Sequence, residues 1–176
     1  MPSYGSTDII EELMPVFARC EERLGYVFTD KRLLHCALTH ASGADHRLVS
    51  NERLEFLGDA ILGAVVCEHL YRRFPEYLEG DLTRIKSTVV SRQTCAKISG
   101  ELNLEEFLIL GKGMSGSRGV PSSLLSDVFE SLVAAIYLDG GAVAAKEFIE
   151  QYVGPEIDLA VSGASGENYK SLLQQK

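Results

Sequence analysis

Residues 51–70 read NERLEFLGDAILGAVVCEHL. Asn51 or Glu52 opens a helix that runs to about Arg73, where Phe74-Pro75 ends it. From Ala60 to Cys67 the helix is apolar all round, which predicts a place at the centre of the fold. Yet Glu52, Glu55 and Asp59 stand in its first two turns, and burying an ionised carboxylate is costly. At ~100° per residue the three acids share an arc of ~60°. Leu62, Gly63 and Val66 continue that side, while Leu54, Leu57, Ile61 and Val65 lie opposite. A solvated first turn, favoured by the helix dipole, explains Glu52 and Glu55 easily. It explains Asp59 poorly.

A second stretch repeats the pattern. SLLSDVFESLVAAIYL, 123–138, carries Asp127 and Glu130 three residues apart, side by side on a helix. The face continues as Ala134 and Tyr137, among Val128, Phe129, Leu132, Val133, Ala135 and Ile136. Two apolar helices, each with acids on one stripe, are expected to face each other.

The rest of the chain is punctuated for helices. One runs from Asp8 to about Arg23 and stops at Gly25; Thr29 and Asp30 cap another reaching Leu38. After a loop at 42–50 and the helix already described, Gly80-Asp81 begins a fourth, and Ser91 caps a fifth that fades at Gly100. GKGMSGSRGVPSS, 111–123, is loop-like. Asp139-Gly140-Gly141 ends the helix that Pro121 or Ser123 opens, and a last helix spans about Ala142 to Tyr152. The expectation is one all-α domain of about seven to nine helices over 1–158, followed at 159–176 by a linker and further sequence.

At 176 residues the chain can bury one sizeable core, and 45% hydrophobic with 24% charged residues is ordinary for a globular protein. No apolar run approaches the ~20 residues that cross a bilayer, so no membrane association is expected. MPSYGSTDIIEELMP has no basic start before an apolar stretch, so a cytoplasmic location is expected. Cys20, Cys36, Cys67 and Cys95 form no C-x-x-C pair, and the histidines no (i, i+3) or (i, i+4) pair, so these residues read as structural. The net charge of −8 argues against nucleic acid, whose binders generally present a basic surface.

Carboxylates gathered in a core repel one another unless cations compensate them, and no lysine or arginine lies on either stripe. Oxygen-only ligands favour Mg²⁺, or Mn²⁺ in its place. A di-iron bundle would want Glu-x-x-His, whereas the chain offers Glu-x-x-Glu and Asp-x-x-Glu. The residues alone point to a Mg²⁺-dependent phosphodiesterase or phosphohydrolase.

NERLEFLGDA at 51–60 resembles the ribonuclease III family signature, NERLEFLGDS, with Ala60 for the usual serine. ALTHAS at 37–42, RFPEYLEGDLTRIKSTVVS at 73–91 and LLSDVFESLVAAIYLDGG at 124–141 are similar to that family's other blocks, in its order. The resemblance spans about 16–155. It implies an all-helical endonuclease domain that works as a homodimer on double-stranded RNA in RNA processing, with Mg²⁺ and no small-molecule cofactor. Glu55, Asp59, Asp127 and Glu130 then match the metal-binding carboxylates, Asp59 and Glu130 being the two on which catalysis most depends. Glu52 and Glu79 match outer acidic positions, and Phe56 an aromatic that enters a socket on the partner subunit. The alternative is a catalytically silent RNA-binding relative of the same fold. GENYKSLLQQK, 166–176, resembles the junction where a basic double-stranded RNA-binding domain starts, which would answer the charge objection. The chain then corresponds to an excised catalytic domain or a naturally short form.

Overall fold

A computed structural model describes residues 7–112, 114 and 119–174, with side chains between 9 and 163 of that range. Among the described residues there are six α-helices, two short 3-10 turns (47–49 and 104–107) and no strand. The helices are α1 (Thr7–Leu24), α2 (Lys31–Leu38), α3 (Glu52–Arg73), α4 (Glu79–Val89), α5 (Arg92–Glu101) and α6 (Ser122–Gln174). α6 breaks at Gly141, whose φ of 82° leaves the helical region, so its two arms bring the total to seven.

The sequence signals set most of these ends. Gly25, at φ 68°, terminates α1 in the left-handed conformation that glycine adopts without strain. Asp30 caps α2 by accepting from Arg32 N at 3.0 Å, and Ser91 caps α5 by accepting from Thr94 N at 3.2 Å. The Asp139 side chain accepts from Tyr26 Oη at 2.8 Å, Thr29 N at 2.9 Å and Asp30 N at 2.8 Å. The bend of α6 is thereby fastened to the start of α2.

Several expectations need correction. α3 is not the central helix. It buries one stripe, Leu54, Gly58, Leu62, Val66 and Leu70, and leaves apolar side chains exposed on its other faces, Phe56 at 82% and Tyr71 at 75%. α6 packs on α2, α3, α4 and α5, and its first arm is the most enclosed segment. From Val128 to Ile136 every residue except Glu130 is buried. Periodicity cannot separate these cases, because an apolar helix awaiting a neighbour has the same composition as an enclosed one.

The second correction concerns the end of the last helix, which continues past Tyr152 to Gln174. Pro155 removes one backbone donor, but Ile149, Val153 and Ile157 keep a four-residue spacing and are all buried. The segment from 159, expected as a linker, is helical to Gln174; its side chains beyond Gly163 lie outside the described residues. Over Ser122–Gly163, α6 is long and apolar enough to cross a bilayer, contrary to the sequence expectation. Half of its most apolar window is buried in the protein, which accounts for that composition.

Candidate metal centre

Close contact between α3 and α6 builds the site. A Cβ on Gly58 would lie 1.8 Å from the Glu130 carbonyl oxygen, so only glycine lets the two backbones meet there. The register is fixed at Asn51, which is buried just before α3. Its N–H donates to Thr39 O at 2.8 Å, and its carbonyl accepts from Glu55 N at 2.8 Å. Ser131 Oγ lies 3.1 Å from that same carbonyl and 2.7 Å from Asp127 O. The first turns of α3 and the Asp127–Ser131 turn of α6 are thus held against each other.

The outcome is a carboxylate cluster. Oxygens of Glu55, Asp127 and Glu130 all lie within 4.8 Å of one another. Asp59, one turn beyond Glu55, is more exposed and outside this trio, yet it lines the same open recess of about 510 Å³ with Glu52, Glu55, Phe56 and Glu130. The acids lie where the α3–α6 contact opens, at the edge of the core rather than within it. This position resolves the cost of burying charge: each group keeps one side toward solvent.

Crowding leaves a clear electrostatic mark. Burial, then the charges of Asp59, Glu55 and Asp127, push the Glu130 carboxyl up to about 7. Burial followed by Asp127 raises Glu55, and burial raises Asp127, with Arg92 and His40 opposing it. Glu52 moves the other way, because Arg47 grips its carboxylate, with Nε 3.0 Å from Oε2. A set of carboxylate oxygens suits a hard divalent cation. Oxygens of one Mg²⁺ shell are at most ~4.2 Å apart, so the trio needs only slight closing.

Glu79 stands elsewhere. It opens α4, accepts from Thr83 Oγ1 at 2.7 Å and lines a separate groove with Tyr71 and Leu82. Gly58, Asn51 and Ser131 are positioning residues that side-chain spacing does not reveal; a glycine in an apolar helix is the one signal of the first. Arg92 was one basic residue among several in the sequence, and the structure places it on the lining of the acidic recess.

A single helical domain carrying an all-carboxylate cluster that could hold a cation, built across two packed helices, is the class of protein that fold and site define. A profile described as Ribonuclease-III-like matches residues 30–157. The chain belongs to the ribonuclease III family. It is 54% identical over 157 residues to Ribonuclease 3 of Rhodopirellula baltica, covering 89% of this chain and 59% of that protein. With Ribonuclease 3 of Symbiobacterium thermophilum it shares 42% identity over 161 residues, 90% of this chain and 68% of that one. The chain thus spans about three-fifths to two-thirds of these relatives. Among solved structures, the nuclease domain of Campylobacter jejuni ribonuclease III superposes with a TM-score of 0.71 at 40% identity, covering 76% of this chain and 96% of that domain. That domain has a region involved in dimer formation.

Proposed function

We propose that the chain is a Mg²⁺-dependent endoribonuclease that cleaves double-stranded RNA, leaving 5′-phosphate products with short 3′ overhangs. One observation carries this reading: the Glu55, Asp127 and Glu130 oxygens converge within 4.8 Å on a fold shared with ribonuclease III nuclease domains. Asp59 completes the set from the same recess.

Glu55, Asp59, Asp127 and Glu130 would hold Mg²⁺, with Mn²⁺ able to substitute. Bound there, the cation would lower the pKa of water and offset charge building on phosphate oxygens. The protein's own part is positional and protonic. Burial and the neighbouring Asp59, Glu55 and Asp127 hold the Glu130 carboxyl up to about 7, so it binds a proton more readily than an ordinary carboxylate. A bound cation would favour its ionised form. Arg47 holds Glu52 to one side of the recess. Gly58 and the Asn51–Ser131 contact fix the separation of the two acid-bearing turns.

Duplex RNA would be read by its A-form shape, 2′-hydroxyls and phosphates, since its deep groove hides the base edges. Cutting both strands calls for two sites, and a two-fold homodimer matches the pseudo-two-fold of a duplex. Phe56 supports that arrangement, exposed beside the recess on the unpaired face of α3. All four cysteines are free thiols, in keeping with work in the reducing cytoplasm.

Incubating the chain with long duplex RNA and Mg²⁺ at low salt tests the reading, and discrete staggered products are expected. Binding without cleavage at excess protein would point instead to a silent RNA-binding relative.

A further inference from the structure

Arg92 is exposed at the first turn of α5, the one cation lining the acidic recess among the described residues. Its charge acts on Glu55, Asp127 and Glu130. Even so, it makes no ion pair or hydrogen bond with any described residue, although many other cations of the chain are paired. Arg47 is taken by Glu52, Arg84 by Asp81, and Lys97 by Glu156. The base from which Arg92 projects is rigid. Thr94 Oγ1 donates to Thr88 O at 2.9 Å, tying α5 to α4, and Ser99 Oγ donates to Leu125 O at 2.6 Å, tying α5 to α6.

The charge balance gives this guanidinium a purpose. Four carboxylates around one divalent cation leave the recess about two charges negative, and a phosphate brings further negative charge. An anion approaching such a site needs another cation close by, and a guanidinium can hold phosphate oxygens in two parallel hydrogen bonds. Resting on the ribonuclease reading above, we propose that Arg92, from the lining of the acidic recess, holds the RNA phosphate at the cleavage position.

This role predicts opposite effects on the two ligands of the recess. Arg92→Gln should weaken binding of a fluorescein-labelled RNA duplex, measured by anisotropy in Ca²⁺, by about tenfold at low salt, and reduce the log–log salt slope by about one. In calorimetry without RNA, the same variant should bind Mg²⁺ about threefold more tightly, because a like charge beside the cation is gone. Arg92→Lys should restore much of the salt slope but only part of the affinity, lacking the planar fork. An Arg92→Gln protein whose RNA affinity and salt slope match wild type overturns the proposal. So does one that loses Mg²⁺ and RNA together, which would make Arg92 a prop for the metal site. A wild-type chain that binds RNA but never cuts it refutes the nuclease reading instead, while the salt slopes still report on Arg92.

Discussion

Gly58→Ala tests whether the close approach of α3 and α6 makes the site. The added Cβ would sit 1.8 Å from the Glu130 carbonyl oxygen, where carbon and oxygen need ~3.2 Å. The obstacle is backbone in the middle of the central helix, so no side chain can swing aside. The helices must part or slide by roughly 1.4 Å, and overpacking of this kind costs about 1–3 kcal/mol, or more where the backbone cannot yield. The helix-propensity gain of alanine, ~1 kcal/mol, offsets only part of that. A net loss of about 2 kcal/mol lowers the melting temperature of a domain this size by roughly 4–8 °C. The larger effect falls on the site, because Glu55 and Asp59 ride on α3 while Asp127 and Glu130 ride on α6. An opening of ~1 Å is large against the near-ideal shell Mg²⁺ requires, and misplacement on that scale can cost 10²-fold in rate. Thermal unfolding in EDTA, Mg²⁺ calorimetry and duplex cleavage below the melting range separate the effects. A variant that keeps wild-type Mg²⁺ affinity and cleavage would refute the idea that this contact sets the carboxylate spacing.

Three further outcomes are expected. In EDTA, the protein should lose stability as pH rises from about 4.5 through about 7, since the folded state holds the Glu130 proton more tightly than the unfolded chain. Such a displacement corresponds to ~3 kcal/mol for a fully enclosed group, reduced by screening at the open recess to ~1–2 kcal/mol; Glu130→Gln should flatten the profile, and identical pH profiles for the two proteins would contradict it. Asp59→Ala and Glu130→Ala should each nearly abolish cleavage while circular dichroism shows an intact fold, whereas Glu52→Ala and Glu79→Ala should cost much less; a Glu130→Ala enzyme with near-normal Mg²⁺-dependent rates would sink the ligand assignment. Phe56→Ala should weaken the homodimer by about 2 kcal/mol per subunit from lost apolar burial, read by sedimentation at micromolar concentration, and a wild-type monomer that still cuts both strands would remove the dimer from the mechanism.

How much was legible in the sequence depends on how local each determinant is. Caps and breakers act within a turn, so Gly25, Asp30, Ser91 and the bend at Gly141 could be read directly. The pairing of the acid stripes was also legible, because two carboxylate-bearing apolar helices have few other ways to satisfy their charge. Contacts made across long sequence separations were not. Nothing near position 92 indicates that its side chain lines the recess, and nothing near Glu79 reveals that it opens onto a different groove. The end of the last helix was misplaced because Gly154-Pro155 is a strong local stop signal, here overridden by packing of Val153 and Ile157. The error over α3 has a different origin. Burial in a chain's own core and burial against a neighbour select the same side chains, so composition predicts that a surface will be covered without saying by what. Phe56, which the family resemblance makes an interface residue, stands exposed in the single chain, and so does Tyr71 on the same apolar-looking helix. Leu62 and Val66 continue the acid side into the core, while Asp59, directly before them, opens to solvent. α3 therefore passes from buried stripe to open recess to uncovered apolar face within three turns. A site at such a boundary can be completed from the far side by a second copy of the chain, which is why the fate of Phe56 bears on catalysis as well as on assembly.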